Sequence, residues 1–319
     1  MSKILYVVHR AYPYPGGSEF FTHDMAKECV KRKHQVTTLA QDIKLEECDG
    51  IKFTDNYNLL LQEWDLIVVH GSDVVSQNIV HANAYSIKSP VLYMIIKPSD
   101  SLYSRNGIKF HNYLGYSTTA DIEHLNNYNV SQKLRRVRHG IDPKNTIAKK
   151  NKFRKKYDIT TKKLVVSAGG FYPHKGFDSL IIPFNKNEVP DTTLCLFGYG
   201  MEENAPDETE NIKVFKGFDK WVIMEAIADA DLYVMNSYEE GFGLVLLEAM
   251  MNKTPWAARD IAGAHDMKDY GIVYQDENEL EKILNDIPNV DVDYNFNYAM
   301  TNHNIKNTVD DIEDIINGH

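Results

Sequence analysis

The sequence predicts an α/β protein with two doubly wound parallel-sheet domains that face each other across a cleft. Its 319 residues exceed what one ordinary hydrophobic core covers, so two domains of about 150 residues each are expected. Short apolar segments alternate with helical patterns in both halves, as in successive βαβ units. The alternation pauses at a polar stretch, residues 140–151, which is the predicted linker, and then begins again.

Composition restricts the class of protein. Hydrophobic residues make up 43% of the chain and charged residues 25%, as in soluble globular proteins. No segment reaches the about 18 apolar residues that a membrane helix needs, and the N-terminus lacks a signal-peptide cleavage pattern. The three cysteines have no CxxC spacing. We therefore expect a reduced, cytoplasmic protein without a structural zinc ion.

Charge is distributed unevenly between the halves. Residues 1–150 contain 19 Lys and Arg against 15 Asp and Glu, a charge of +4, whereas the remainder contains 16 against 30, a charge of −14. Neither half is strongly basic, so we do not expect nucleic acid as a partner. The first half could meet an anionic acceptor or the surface of a membrane, and peripheral membrane contact is a further expectation.

The first domain, predicted over residues 1–145, begins with a βαβ unit. Residues 3–8 form a predicted strand, residues 9–17 a loop rich in proline and glycine, and residues 18–33 a helix. Such loops lie at the carboxyl edge of a parallel sheet, where Gly16 and Gly17 let the backbone approach a phosphate closely. Further strands are predicted at residues 36–39, 66–69, 91–96, 113–117 and 133–139, and helices at 74–84 and 119–128.

His70 follows the predicted strand 66–69 and so lies at its carboxyl end. Doubly wound sheets bind ligands in the crevice at this edge, which makes His70 a candidate for the site. The alternative is a neutral histidine whose hydrogen bonds are satisfied at the end of a strand.

The second domain is predicted over residues 146–290. Lys175 lies in the loop 169–176 that follows its first strand. Residues 291–319 are expected to form a helical tail that packs back on the first domain, with an amphipathic helix near residues 309–316. The predicted strands are 164–168, 193–197, 214–215, 232–235, 256–258 and 272–274, and the predicted helices are 177–184, 221–227 and 277–286.

The most informative stretch of the second domain is SYEEGFGLVLLEAMM, residues 237–251. Its second part is apolar on every side except at Glu248, which predicts a buried helix. An ionised carboxylate there needs partners for its oxygens, because burying it alone is costly. Glu240 lies just before the helix, whose N-terminus offers free N–H groups to an anion. On chemistry alone, Glu248 serves either a ligand or a structural core.

Several stretches resemble, in order, glycosyltransferase family 4, whose members are retaining nucleotide-sugar enzymes of GT-B fold. The resemblance covers about residues 3 to 285. The sequence EEGFGLVLLEAMMNKTP is similar to the E-x7-E signature of that family, and this match is the most specific. The other matching stretches are PGGSEFFTHDMAKECVKRKHQVTTLA, WDLIVVHG, RHGIDP and HKGFDSLI.

The resemblance implies roles for individual residues. His70 and Glu240 would act at the reaction centre, and Lys175 would hold the donor diphosphate. Glu248 would accept hydrogen bonds from the ribose hydroxyls, because two carboxylate oxygens match a vicinal diol. The other donor-binding residues would be Gly16, Gly17, Gly241, Phe242, Gly243 and Leu244. The family usually has an arginine five or six residues before its lysine, where this chain has Gly170 and Gly169.

By this resemblance the chain is a retaining glycosyltransferase that moves a sugar from a nucleoside diphosphate donor to a glycan, lipid-linked or other hydroxyl acceptor, without a metal or another cofactor. The alternatives are a nucleotide-sugar epimerase, a phosphorylase or a catalytically silent nucleotide-sugar binding protein. No segment identifies the pyridoxal lysine of a phosphorylase. The Asp-x-Asp spelling of metal-dependent transferases occurs at residues 229–231 and 291–293, before a strand and in the polar tail, where we interpret it as incidental.

Overall fold

The computed structural model describes residues 1–70, 80, 83, 85–94, 111–130, 133–217 and 219–318. The chain divides into two compact units. Unit 1 contains residues 1–140 and 303–319, and unit 2 contains residues 141–302. The sequence prediction placed the boundaries after residues 145 and 290 instead.

Unit 1 contains an eight-stranded sheet with the order β3-β4-β2-β1-β5-β6-β7-β8. All described strand pairs are parallel except β3 with β4. The connections diverge between β1 and β5, which makes that position a topological switch point. The strands are β1 (Lys3–Arg10), β2 (Gln35–Asp42), β3 (Glu47–Cys48), β4 (Ile51–Thr54), β5 (Leu66–His70), β6 (Val91–Met94), β7 (Tyr113–Tyr116) and β8 (Leu134–Arg136).

Unit 2 contains a six-stranded parallel sheet with the order β11-β10-β9-β12-β13-β14. Its switch point lies between β9 and β12. The two parallel sheets confirm the predicted fold class. The strands are β9 (Lys163–Gly170), β10 (Thr192–Tyr199), β11 (Ile212–Lys216), β12 (Leu232–Met235), β13 (Trp256–Arg259) and β14 (Ile272–Tyr274).

Helices connect the strands in both units. The helices described in unit 1 are α1 (Gly17–Lys31), α2 (Thr119–Asn126) and the late helix α11 (Ile305–Ile316). Those described in unit 2 are α3 (Phe153–Lys156), α4 (Phe177–Leu180), α5 (Ile182–Asn185), α6 (Lys220–Asp229), α7 (Leu244–Met251), α8 (Ala262–Asp266), α9 (Glu277–Asn285) and α10 (Val292–Asn302).

Buried strands and helix faces supply the cores. In unit 1, alternate residues of β1 and β5, including Leu5, Val7, Ile67 and Val69, pack into one apolar cluster. In unit 2 the apolar residues divide between the two faces of the sheet, as expected for parallel strands covered by helices on both sides. The predicted buried helix is α7, where Leu246, Leu247 and Met250 are almost fully buried.

Three local features differ from the sequence prediction. The hairpin β3–β4 was not predicted, because its strands are too short for a clear alternation pattern. Predicted helix 177–184 is two short helices, α4 and α5, with Pro183 in the first turn of the second. The predicted linker 140–151 is packed, since Ile141 and Thr146 are buried and Asn252 donates to the Thr146 carbonyl at 3.0 Å. The predicted helix 74–84 lies largely outside the described residues, as do the last two residues of the predicted strand 91–96.

The expected C-terminal tail is two helices that belong to different units. In unit 2, α10 packs on α7. In unit 1, α11 packs on α1 through an apolar face that includes Val309 and Ile312. Arg32, the C-cap residue of α1, donates hydrogen bonds to Glu313 and Asp310, each at 2.6 Å, and fixes this packing. The segment therefore changes units at residue 303.

Candidate active site

The switch point of unit 2 brings together two loops, residues 171–176 after β9 and residues 236–243 after β12. The side chain of Asn236 joins them. It donates from Nδ2 to the Gly176 carbonyl at 2.6 Å and to Ser179 Oγ at 2.8 Å, while the hydroxyl of Tyr274 donates to its Oδ1 at 2.6 Å. Asn236 is buried, so these hydrogen bonds fix the position of one loop relative to the other.

Glycine is required where the loops meet. Gly176 has φ 68°, and a Cβ atom there would lie 2.2 Å from the Asn236 carbonyl oxygen. A side chain at this position would be strained and would also push the loops apart. The predicted loop 169–176 therefore requires glycine directly after Lys175.

Lys175 and Glu240, both predicted site residues, form an ion pair between these loops. Glu240 Oε1 also accepts a hydrogen bond of 2.9 Å from Ser237 Oγ. About a fifth of each charged side chain is exposed, 21% for Lys175 and 19% for Glu240. The pair is thus held by the fold and remains accessible to a ligand.

Glu248, the predicted carboxylate of the buried helix, has a cationic partner. Lys220 Nζ lies 3.3 Å from Glu248 Oε1. Lys220 is the first residue of α6. Asp219 caps the N-terminus of this helix, because its side chain accepts a hydrogen bond of 2.7 Å from the Trp221 amide. Sequence reasoning missed Lys220, because a lysine at the start of a helix is usually a solvated surface residue.

Tyr233 of β12 is buried and interacts electrostatically with both site carboxylates. Burial raises the pKa of its phenol, and the negative charges of Glu248 and Glu240 raise it further. The hydroxyl is held at 3.2 Å from the Ala168 backbone. Tyr233 is therefore an uncharged group that belongs to the same electrostatic cluster as Glu240 and Glu248.

The glycine segment 241–244 leads into α7. Gly243 is its N-cap with φ 81°, and a Cβ atom there would meet Met235 Sδ at 2.9 Å. Phe242 is buried among the residues of the unit 2 core. Leu244 is the first helical residue, so its amide has no partner within the helix. These features leave Gly241, Phe242, Gly243 and Leu244 as predicted donor-binding residues.

Gly169 and Gly170 occupy the positions where an arginine is usual in the resembling family. A Cβ atom at Gly170 would lie 2.4 Å from the ring of Tyr172, and one at Gly169 would lie 3.4 Å from Lys175 Cδ. The glycine at 170 gives space to the tyrosine ring, and that at 169 lies beneath the lysine side chain. Local packing therefore excludes an arginine at position 170, whereas at position 169 a Cβ atom would make an ordinary contact with Lys175.

His70 lies at the carboxyl end of β5 in unit 1, as predicted. Its Nδ1 is 2.8 Å from Thr22 Oγ1 of α1, and Phe21 packs on its ring with centroids 5.3 Å apart. Burial lowers the pKa of His70 to about 3, so the imidazole is neutral at physiological pH. The Thr22 contact fixes the orientation of the ring.

Gly16 and Gly17 also lie in unit 1, at the start of α1. The carboxylate of Glu19 folds back against Gly16, since a Cβ atom on Gly16 would be 2.0 Å from Glu19 Oε2, whereas a Cβ atom on Gly17 would meet nothing within 4 Å. Arg10 Nε donates to the other carboxylate oxygen at 3.1 Å. A phosphate at this glycine turn would therefore have to displace Glu19, and the role of Gly16 and Gly17 stays a prediction.

Both Asp-x-Asp sequences have structural partners. Asp229 accepts from the backbone of Asn151 and Arg154, and Asp231 accepts from the Leu164 amide at 2.7 Å. Asp293 pairs with Lys253 at 2.6 Å. These contacts give the aspartates a role in holding the backbone and the surface of unit 2.

A groove in unit 1 has a volume of about 550 Å³ and lies at the opposite edge of the sheet from His70. Its lining includes Lys3, Asp65 and Pro90, which lie at the amino ends of β1, β5 and β6. Ligands of doubly wound sheets bind at the carboxyl ends, so this groove is not the candidate site.

Comparison with known proteins gives the domain type. Residues 149–279 match the family model of "Glycosyl transferases group 1". This confirms the predicted glycosyltransferase at the level of a domain that contains Lys175, Glu240 and Glu248. A processive diacylglycerol alpha-glucosyltransferase from Acholeplasma laidlawii is 29% identical over 123 residues. That match spans 36% of this chain and 36% of the length of the relative.

Solved structures resemble the whole chain. HepE from Anabaena in complex with UDP-glucose superposes with a TM-score of 0.85 at 16% identity and full coverage of both chains. The chain has the GT-B fold. Sucrose-phosphate synthase from Thermosynechococcus elongatus gives a TM-score of 0.83 at 14% identity, covering 100% of this chain and 99% of the other. Among the described residues, no helix combines the length and the apolar character needed to cross a membrane.

Proposed function

We propose that this protein is a retaining glycosyltransferase of family 4 that transfers a sugar from a nucleoside diphosphate donor to a hydroxyl acceptor. The observation that carries the proposal is the Lys175–Glu240 ion pair at the switch point of unit 2. A glycosyl transfer needs a cation for the leaving diphosphate and a hydrogen-bond acceptor for the sugar. The two loops provide one of each.

The nucleotide part of the donor would be held by Glu248 and Lys220. Glu248 can accept two hydrogen bonds from the ribose diol, one at each oxygen. Lys220, 3.3 Å from it, would place a second positive charge beside the nucleotide. We infer that Lys220 partly replaces the absent arginine as a positive charge near the diphosphate. The first backbone amides of α7 would add the partial positive charge of a helix N-terminus.

During the reaction, negative charge grows on the diphosphate oxygen as the glycosidic bond breaks. Lys175 would stabilise that charge, and Glu240, released from the ion pair, would bind hydroxyls of the sugar. Neutral His70 would hydrogen-bond the sugar or the acceptor without adding charge. No step of this scheme requires a metal ion, so we propose that transfer is independent of metal.

The acceptor proposal is a lipid-linked or other hydroxyl at an anionic surface. The relative from Acholeplasma laidlawii is named for diacylglycerol, which carries one free hydroxyl. The positive charge of residues 1–150 would favour an anionic surface. We therefore propose a cytoplasmic protein with peripheral contact to a membrane.

Product analysis tests the proposal and separates it from its alternatives. The protein is incubated with radiolabelled UDP-, GDP- or ADP-glucose, with and without vesicles that contain diacylglycerol. We expect label in the lipid fraction with one donor, and slow donor hydrolysis without vesicles. A changed sugar on intact nucleotide would indicate an epimerase. Nucleotide binding without transfer, hydrolysis or conversion, across a panel of lipid and glycan acceptors, would indicate a silent binding protein.

A further inference from the structure

The hairpin β3–β4 is held firmly against α1. Its two-residue turn, Asp49 with φ 54° and Gly50 with φ 77°, follows the paired residues Cys48 and Ile51. Positive φ at both positions is typical of a type I′ turn, the tightest hairpin connection. A Cβ atom on Gly50 would meet Val30 Cγ1 of α1 at 3.1 Å. The side chains of Cys48 and Asp49 are thus presented on a fixed turn beside the helix.

His23 of α1 faces this turn and is fixed as well. Its ring stacks on Tyr12 with centroids 4.0 Å apart, and only 6% of the residue is exposed. His23 Nε2 lies 2.9 Å from Asp49 Oδ2. One ligand atom each of His23, Cys48 and Asp49 lies within 4.8 Å of the other two. An imidazole nitrogen, a sulfur and a carboxylate oxygen therefore converge from two elements of the fold.

We propose that His23, Cys48 and Asp49 bind a zinc ion, with water as the fourth ligand. Zinc bonds of about 2.0–2.3 Å in a tetrahedron place neighbouring ligand atoms about 3.3–3.6 Å apart. The His23–Asp49 contact of 2.9 Å would open by less than about 0.5 Å, and the two pairs that include the sulfur, each within 4.8 Å, would settle at about 3.5 Å. The hairpin is partly exposed, with 45% of the Asp49 side chain accessible, so an ion can enter.

The charges around the cluster are compatible with a metal. Burial lowers the pKa of His23, which keeps the imidazole neutral as a ligand must be. Burial and Asp49 raise the pKa of the Cys48 thiol, and Lys27 opposes that shift. A bound zinc ion would deprotonate the thiol. The simpler arrangement has hydrogen bonds from His23 and Cys48 to Asp49 and keeps the sulfur as a protonated thiol, whereas zinc would bind the thiolate; this difference gives the test.

The site departs from the sequence prediction that no structural zinc is present. That prediction depended on the lack of CxxC spacing, and His23 is 25 residues before Cys48. The hairpin, which was not predicted, is the element that brings them together. In the proposed state, zinc ties β3–β4 to α1, whose Thr22 contacts His70.

Cobalt titration tests the proposal directly. The full chain, stripped with a chelator and dialysed under reducing conditions, is titrated with CoCl₂. We expect a thiolate-to-cobalt charge-transfer band that saturates at one equivalent and disappears when zinc is added. Cys48→Ser should abolish the band, and Asp49→Asn should weaken cobalt binding at least tenfold. Circular dichroism and thermal melting confirm that each variant is folded.

The matched control is His9→Gln. His9 forms another histidine–aspartate contact, with Asp42 at 3.9 Å, but among the residues that the structure describes no cysteine joins them in a ligand cluster. This variant should keep the full band. The proposal is overturned if folded wild-type protein shows no band, if the band does not saturate at one equivalent, or if Cys48→Ser retains it.

Discussion

Lys175 and Glu240 form an ion pair that joins the loop after β9 to the loop after β12. In the proposed reaction this pair separates, because Lys175 turns to the donor diphosphate and Glu240 to the sugar. The pair therefore keeps each charge compensated until a donor arrives. Its location at a switch point makes Lys175 the most direct residue to test.

We expect Lys175→Ala to lower the transfer rate about 100-fold or more, the scale seen when one preorganised electrostatic partner is removed. Steady-state kinetics with the preferred donor measure the effect. Lys186→Ala, which removes a lysine that is 61% exposed in unit 2, is the control and should be near wild type. Transfer should also persist in EDTA. Near-normal activity of Lys175→Ala, together with loss in EDTA and rescue by manganese, would contradict the proposed site.

Glu248→Ala should weaken nucleotide binding by about 1.5–3 kcal/mol, the usual range for hydrogen bonds to a charged group. That corresponds to a loss in affinity of about tenfold to more than a hundredfold. Isothermal titration calorimetry with the nucleoside diphosphate measures it. Glu225→Ala is the control, because Glu225 is also part-buried and pairs with a lysine, Lys152, at 3.6 Å. Equal affinity in folded Glu248→Ala would exclude the ribose role.

Lys220→Ala tests whether Lys220 binds a phosphate of the donor directly or only orients the Glu248 side chain. A phosphate contact is a charge-assisted hydrogen bond, so its loss should weaken binding of the diphosphate about tenfold. Affinity for the nucleoside alone should change by less than about threefold, within the few tenths of a kcal/mol common for surface changes. Parallel losses for both ligands would show that Lys220 acts through Glu248.

The buried histidines of unit 1 predict sensitivity to acid. Burial lowers the pKa of both His70 and His139 to about 3, far below the about 6.5 of an unfolded chain. Between about pH 6.5 and 3 the unfolded chain therefore binds more protons than the folded chain, so the free energy of unfolding decreases as the pH falls through that range. Each histidine contributes up to about 1.4 kcal/mol per pH unit.

Urea unfolding at a series of pH values checks this expectation. His139→Leu should reduce the slope of stability against pH below about 6.5, because one proton is no longer taken up on unfolding. Ile182→Val, at an exposed position in unit 2, removes no titratable group and should leave that slope unchanged. An unaltered slope in His139→Leu would contradict the assignment.

Acceptor affinity should fall as salt rises if the first half meets an anionic surface. Exposed charges are screened beyond about 8 Å at physiological ionic strength, so the attraction should weaken steadily above it. Co-sedimentation with vesicles that contain diacylglycerol, with and without anionic lipid, measures the effect between low and high salt. Vesicle binding that depends neither on salt concentration nor on anionic lipid would contradict the proposed electrostatic attraction.

Periodicity predicted most of the sheet architecture. Buried strands such as β12 and β14 are continuous apolar runs, and their predicted bounds agree with the structure. Glu240 and Lys175 were predicted from local motifs, and the structure places them in contact. In these cases the pattern within a few residues determines the structure.

The parts that the sequence did not predict depend on contacts between distant residues. Lys220 lies 28 residues before Glu248, and nothing in its own segment distinguishes it from a solvated lysine. Asn236 joins two loops through three polar contacts that no motif encodes. The hairpin β3–β4 and the division of the tail at residue 303 likewise follow from packing on α1 and α7.

The packing of α11 on α1 sets an order for folding during synthesis. Arg32 and Glu313 are 281 residues apart, yet both belong to unit 1. When the ribosome has released residues 1–140, α1 still lacks the helix that covers it, whereas all of unit 2 is made before α11 emerges. Domains generally fold as units as they emerge, so unit 2 can complete its fold first and unit 1 last. Nascent chains stalled before residue 303 should therefore expose the apolar face of α1 to chaperones.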